Sequence, residues 1–201
     1  MIENKKIGVV ILAAGASSRL GYPKQLVEFE GKKLLQKMID LADDFSFDSK
    51  VLVLGANANE IKKEIDSKNF SIAINGEWNQ GMSSSIIKGI TSSEELEKLD
   101  HLLILLSDQP FVNREKIEQL IRLQIENKSE ATFSEYEGDI GVPAIFSRSV
   151  FQKLKELKGD HGAKKLIYND KIEFQTIKFE KGNFDVDTKE DVELLKQLEK
   201  K

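Results

Sequence analysis

VVILAAGASSRLGYPKQ, residues 9–25, runs through six apolar side chains, then a small, glycine-containing turn, then two basic residues. A short apolar run without polar alternation is what a strand buried on both faces of a parallel sheet requires. Such a strand, Ile7–Leu12, delivers the chain into Ala13-Ala14-Gly15-Ala16-Ser17-Ser18, where no bulky side chain keeps an anion from the backbone N–H groups. Ser17 and Ser18 add hydroxyl donors. Arg19 and Lys24 add one forked and one point-like positive charge, a pair suited to a polyphosphate. The competing account is an ordinary strand-to-loop turn with two solvated basic residues. Neither familiar phosphate motif is present: no Lys-Ser or Lys-Thr follows Gly21, and Gly15 and Gly21 lack G-x-G-x-x-G spacing.

Outward from this stretch, apolar runs alternate with segments of helical period. Ile7–Ala14, Val51–Gly55, Phe70–Ile74 and His101–Leu106 read as strands, and Lys33–Phe45, Asn57–Ile65 and Arg114–Ile125 as helices. Ala131–Tyr136, Val142–Phe146 and Lys171–Phe179 are expected as further strands, and Ser147–Leu157 as a helix capped by Ser147 or Ser149. Thr188-x-x-Asp191 has the form of a capping box ahead of a last helix. Strand–helix alternation predicts βαβ units with right-handed crossovers. One α/β domain over residues 1–201 accounts for the pattern, since no linker or repeat interrupts it.

Composition narrows the chemistry. A net charge of −4 without a basic stripe gives no case for nucleic-acid binding. The absence of cysteine removes disulfides, thiolate metal sites and cysteine nucleophiles, and with only His101 and His161 a histidine zinc site has too few ligands. No long hydrophobic span is seen, so a cytoplasmic protein without membrane contact is expected.

In a parallel sheet, ligands bind at the carboxyl ends of the strands, and the polar residues of interest follow the strand-like runs. Asp108 in LLILLSDQPFV is placed to hold Mg²⁺ at a strand end, or to serve as a turn residue before the next helix. Asp185 and Asp187, two apart, point the same way in an extended segment and call for a cation between them; helix capping is the other role open to Asp187. Gly81 and Ser83-Ser84-Ser85 offer free N–H groups and hydroxyls at a helix start, as a plain serine cap also would. Trp78 has a ligand-stacking role and a packing role open to it. Gly159, Asp160, Gly162 and Ala163 form a turn entering a helix, and His161 within it is a loop histidine or a base.

Taken together these motifs resemble the molybdenum cofactor cytidylyltransferase family, within the wider MobA-like nucleotidyltransferase superfamily. The signature L-A-A-G-x-S-x-R-x-G-x-x-K stands as Leu12-Ala13-Ala14-Gly15, Ser17, Arg19, Gly21 and Lys24. In order there follow Gly81-Met82-Ser83-Ser84-Ser85, Asp108-Gln109-Pro110, Gly141-Val142-Pro143, the Gly159–Ala163 turn and Asp185-Val186-Asp187-Thr188. Ser83 departs from the glycine expected in Gly-x-Gly-Ser-Ser.

The resemblance implies a three-layer α/β/α, Rossmann-like fold with a mostly parallel sheet. It implies that Leu12, Ala13, Ala14 and Gly15 line the base and phosphates, with Ser17 and Ser18 beside them and Arg19 and Lys24 on the triphosphate. Gly81, Ser84 and Ser85 would hold the nucleotide. Arg19, Lys24 and Asp108 would be the catalytic set, and Asp108 with Asp185 or Asp187 would bind Mg²⁺. Gly141, Pro143, Gly159, Asp160 and Gly162 would shape the acceptor side. The implied reaction transfers CMP from CTP to a phosphate monoester such as molybdopterin, with a transient protein partner receiving the finished cofactor. Relatives that use GTP tend to read L-A-G-G at Leu12–Gly15, which leans the base toward cytidine. Rival readings are transfer to a sugar phosphate, an alcohol phosphate or phospholactate, also from GTP, and a non-catalytic nucleotide-binding regulator. An NAD(P)-dependent oxidoreductase fails on glycine spacing.

Overall fold

The computed structural model describes residues 5–160, 162–165, 172–182 and 184–199. Its centre is β1, Ile7–Ala13, every residue of which is buried. It pairs in parallel with β4 (Ser49–Leu54) on one side and β6 (His101–Leu106) on the other. β5 (Ser71–Ile74) extends the parallel set, and β7 (Ala131–Tyr136), β8 (Asp139–Ser147) and β9 (Phe174–Lys178) complete a seven-stranded sheet of order β5-β4-β1-β6-β8-β7-β9. β8 alone is antiparallel to its neighbours, because a two-residue turn, Glu137-Gly138, with both residues at positive φ, folds it straight back from β7. The expected mostly parallel α/β sheet is therefore the one observed.

Side-chain alternation along the strands builds the two outer layers. Val10, Leu12, Val51, Val53, Leu102 and Ile104 face one side, where Ile86 and Ile90 of α3 (Met82–Leu96) and Phe151 and Leu154 of α5 (Phe151–Lys155) cover them. Val9, Ile11, Leu52, Leu54, Leu103 and Leu105 face the other. There they meet Leu35, Met38 and Ile39 of α1 (Leu34–Asp43), Ile61 of α2 (Ala58–Glu64), and Ile117, Leu120 and Ile121 of α4 (Arg114–Asn127). Each such aliphatic side chain, taken fully out of water, contributes roughly 1.5–3 kcal/mol. No described helix is long and apolar enough to cross a membrane.

A smaller third core positions the active edge. A hairpin of β2 (Glu28–Phe29) and β3 (Lys32–Lys33) turns through Glu30-Gly31, again both at positive φ. Leu20, Val27, Phe29 and Leu34 pack there against Val186, Val192 and Leu195, so α6 (Lys189–Glu199) is carried onto the loop that follows β1. The capping box forms: Thr188 Oγ1 accepts from the Asp191 N–H at 3.2 Å, and Asp191 Oδ2 accepts from the Thr188 N–H at 2.8 Å. Thr188, not Asp187, caps the helix, which leaves the Asp187 side chain for other partners.

Some elements differ from the sequence expectation. Ser147–Leu157 is a 3₁₀ turn, Arg148–Val150, followed by the short α5, and the Lys171–Phe179 strand is seen as Phe174–Lys178, with Lys171 outside the described residues. His161 lies outside them too. His101 is buried at the start of β6, at the opposite strand end from Asp108; burial lowers its pKa, the nearby Asp100 charge opposing.

Candidate active site

The loop after β1 is held by its own polar groups. Ser17 takes a positive φ, its carbonyl accepts from the Leu20 and Gly21 N–H groups, and its hydroxyl accepts from the Lys24 N–H at 3.0 Å. Gln25, fully buried, donates from Nε2 to the Ala13 and Gly15 carbonyls at 2.9 and 3.3 Å. These bonds fix where Lys24 leaves the backbone. Nothing in the residue pattern marked Gln25, since a polar residue after a basic one is ordinary in a loop.

Lys24 then reaches across the cleft. Its ammonium donates to Asp108 Oδ2 and, at 2.7 Å, to Asp187 Oδ1. Arg19 Nη2 donates to the other oxygen, Asp187 Oδ2, at 2.6 Å. The segment around Asp187 is tied in by the Val186 N–H, which donates to the Asp108 carbonyl at 3.1 Å. Residues 84 and 163 positions away from Lys24 are thereby gathered on one charge. Burial pulls the Lys24 pKa down, but Asp108 and Asp187 outweigh it and hold the ammonium above the usual lysine range. Burial likewise pushes Asp187 up, and Lys24 and Arg19 outweigh it and hold the carboxylate low.

Asp185 has different surroundings. It is exposed and lines the cleft; lost hydration, then the Asp108 charge, push its carboxyl up to about 7, with the Gln109 amide and Lys24 opposing. Asp185 thus lines the second of two chambers here, whereas Asp187 lines neither and is held by Lys24 and Arg19. Tyr136 stands nearby, its phenol pushed up to about 12 by burial, then by Asp185 and Asp139. Gln109 Nε2 donates to the Val142 carbonyl at 3.0 Å and joins the Asp108 strand end to β8.

Two adjoining chambers open at this edge. The first, of about 350 Å³, is lined by Leu12, Ala13, Ala14, Gly15, Lys24, Trp78, Gly81, Ser85 and Asp108, among others. The second, of about 230 Å³, includes Phe133, Tyr136, Gly141, Gly162, Lys164 and Asp185. Leu12, Met82, Leu106 and Asp160 line both. The proposed nucleotide and acceptor residues therefore fall mainly into separate, touching spaces.

Several expected residues line neither chamber. Ser18 is exposed, and Arg19 sits at the rim on Asp187 rather than in the cleft. Ser84 is occupied internally: its hydroxyl shares its one proton between the Gly81 and Glu77 carbonyls and accepts from Asn75 Nδ2 at 2.9 Å. Asn75, unmarked in the sequence, also donates to Ser85 Oγ at 3.0 Å. Pro143 is buried within β8, its carbonyl accepting from Ser134 Oγ at 2.7 Å. Gly159 shapes the wall instead of lining it, its carbonyl accepting the Ser83 N–H at 3.2 Å. Gly81, at φ 98°, lies so close to this turn that a Cβ there would stand 2.5 Å from Asp160 Oδ1. Ser83, the departure from Gly-x-Gly, is buried at this contact.

The residues fit a hard divalent cation. Asp108 Oδ1 is buried and has no partner among the described residues, and the nearby donors are carboxylate oxygens. No group of three or more His, Cys, Asp or Glu among the described residues forms a metal cage.

Comparison with known proteins follows the same lines. Nicotine blue oxidoreductase of Paenarthrobacter nicotinovorans is 34% identical over 102 residues, 50% of this chain and 48% of that protein, so the chain matches about half of that relative's length. A homologue of Mycobacterium tuberculosis Rv0371c from Mycobacterium sp. strain JC1 is 30% identical, with a TM-score of 0.82 and 96% of each chain covered. Rv0371c in complex with manganese is 26% identical, with a TM-score of 0.76 over 94% of this chain and 97% of that one. A family model described as the MobA-like NTP transferase domain matches residues 9–174, which takes in the loop after β1, the Asp108 edge and the β7–β8 hairpin and stops short of Asp185 and Asp187. With most of its length inside that match, the chain belongs to the MobA-like NTP transferase family.

Proposed function

We propose that this chain is a nucleotidyltransferase that moves a nucleoside monophosphate from a nucleoside triphosphate to a phosphate monoester acceptor of the molybdopterin type. CTP is the donor that Ala13-Ala14-Gly15 favours. The observation that carries the proposal is Lys24, paired to Asp108 and Asp187 beside two adjoining chambers.

In this reaction an oxygen of the acceptor phosphate attacks the α-phosphorus, forming a new P–O–P bridge. The bond from the α-phosphorus to the oxygen that bridged it to the β-phosphorus breaks, and pyrophosphate leaves with that electron pair. Both reactants are anions, so positioning and neutralisation supply the catalysis. Mg²⁺, held by Asp108 with Asp187 or Asp185, would offset the charge gathering on the leaving pyrophosphate. Lys24 exchanges its carboxylate partners for phosphate oxygens, and Arg19 swings from Asp187 at the rim to meet the outer phosphates. Leu12, Ala13, Ala14 and Gly15 line the nucleotide chamber together with Gly81 and Ser85. Gly141, Gly162, Asp160 and Asp185 bound the acceptor. A phosphate monoester is nucleophilic at neutral pH, so no histidine base is needed.

The test is pyrophosphate release from CTP, GTP, ATP and UTP, with and without molybdopterin, in Mg²⁺ and in chelator. Release that needs both the acceptor and the cation, and is fastest with CTP, is expected. No release with molybdopterin moves the acceptor to a sugar phosphate, alcohol phosphate or phospholactate. Nucleotide binding without release from any acceptor makes the chain a regulator.

A further inference from the structure

Trp78 is the chain's one tryptophan, and the chemistry above leaves it without a task. It opens a 3₁₀ turn, Trp78–Gln80, between β5 and Gly81. Its side chain lines the first chamber and is 38% exposed. No aromatic ring or cation stacks on it among the described residues. The residue is nevertheless braced from behind. A Cβ on Gly55, just past β4, would stand 2.7 Å from both the Trp78 Cβ and the Ala14 carbonyl oxygen. Glycine there lets the tryptophan stem seat itself against the ends of β4 and β1. A large ring fixed at its base and left open at its face, on a wall of a binding chamber, is the arrangement a stacking platform needs.

Sheet order fixes which part of a ligand it meets. The charges, Lys24 and Asp108, follow β1 and β6, whereas Trp78 stands on the β5–β4 side. The acceptor chamber lies farther along, on β6, β8 and β7. A nucleoside triphosphate with its phosphates at Lys24 therefore extends its nucleoside away from the acceptor, toward Trp78. We infer that Trp78 is the platform on which the nucleobase stacks, giving affinity for a nucleoside of any base over bare polyphosphate. Every base has a π-face, so the platform adds affinity without choosing among bases. This rests on the nucleotidyltransferase reading.

Because there is no other tryptophan, fluorescence excited on the red edge, where the three tyrosines do not absorb, reports this one side chain. The protein with Mg²⁺ is titrated with CTP, GTP and inorganic tripolyphosphate, with calorimetry in parallel. Both nucleotides are expected to quench the emission and saturate, and tripolyphosphate to leave it unchanged. Trp78→Ala should raise the calorimetric Kd for CTP and GTP by about tenfold, within the range known for base–aromatic stacking, and leave tripolyphosphate binding as it was. Trp78→Phe should recover most of the loss. Calorimetric binding of CTP with silent fluorescence, or equal weakening of tripolyphosphate and CTP in Trp78→Ala, overturns the inference alone. Absence of calorimetric binding by any nucleotide overturns it together with the nucleotidyltransferase reading.

Discussion

Replacing Lys24 with methionine keeps an unbranched side chain one heavy atom shorter and removes the charge. The side chains of Lys24, Asp108 and Asp187 are 17%, 9% and 33% exposed. Breaking a buried pair by removing one partner costs about 3–5 kcal/mol, because a buried charge is left uncompensated. Asp187 is one-third exposed and retains Arg19, so its share is screened to about 1 kcal/mol or less. Most of the cost therefore comes from Asp108, and about 3 kcal/mol of lost stability is expected at pH 8. For a chain of this size that is a fall of roughly 6–12 °C in Tm. Without Lys24 the Asp187 carboxylate loses the partner that outweighs its burial, so its folded-state pKa rises. Protonation of Asp187 then relieves its share of the cost, so the difference from wild type shrinks as the pH falls through the carboxylate range. Added Mg²⁺ should recover part of the loss at pH 8, since a cation that binds only the folded state stabilises it. Thermal unfolding followed by circular dichroism at pH 8 and pH 4.5, with and without Mg²⁺, reads all of this. An unchanged Tm, or an equal fall at both pH values, would refute the reasoning.

Two further predictions test how the site is carried and how remote charges contribute. Leu195→Ala empties the small core beneath α6, so a loss of about 2–4 kcal/mol is expected; because α6 anchors the segment just before it, which holds Asp187, pyrophosphate release per folded molecule should fall tenfold or more. Wild-type turnover by the folded fraction of that variant would show that Asp187 needs no such support. On α1, partial burial raises the Asp40 carboxyl, but hydrogen bonds from Lys32, Lys68 and Gln36 prevail and hold it down to about 2. A depressed carboxylate stabilises the fold above its unfolded pKa of 3.8 and loses that contribution as the pH falls toward 2. Asp40→Asn should therefore cost up to about 1 kcal/mol at pH 6 and nothing near pH 2, because the pairs are solvent-screened; urea midpoints at the two pH values that differ from wild type by the same amount would contradict it.

The strands were legible because burial on both faces leaves no other composition for them. Ile7–Ala13 and His101–Leu106 are apolar throughout their lengths, or nearly so, and their bounds fall within a residue of expectation. Both hairpins went unread for a shared reason. Each turns on Glu-Gly, at Glu30-Gly31 and Glu137-Gly138, where Asn-Gly or Asp-Gly is the usual signal, and glutamate at positive φ is tolerated only because the paired strands demand it. Gln25 and Asn75 were invisible for another reason. Their work is to bond backbone carbonyls and serine hydroxyls, and amide side chains advertise no such role by spacing.

By itself the sequence determined the α/β layering and the strand ends at which polar residues gather. Periodicity and local chemistry suffice for these, because each depends on neighbours along the chain. What Lys24 touches was decided by tertiary structure alone. The sequence reading sent Lys24 and Arg19 to phosphates and the aspartates to a metal, whereas in the fold these opposite charges meet one another. Their meeting depends on α6 docking through Val186, Val192 and Leu195 onto Leu20 and Phe29, a contact between segments more than 150 residues apart. Long-range packing of that kind follows from shape and from the apolar area hidden on closure, and no local pattern of residues encodes it.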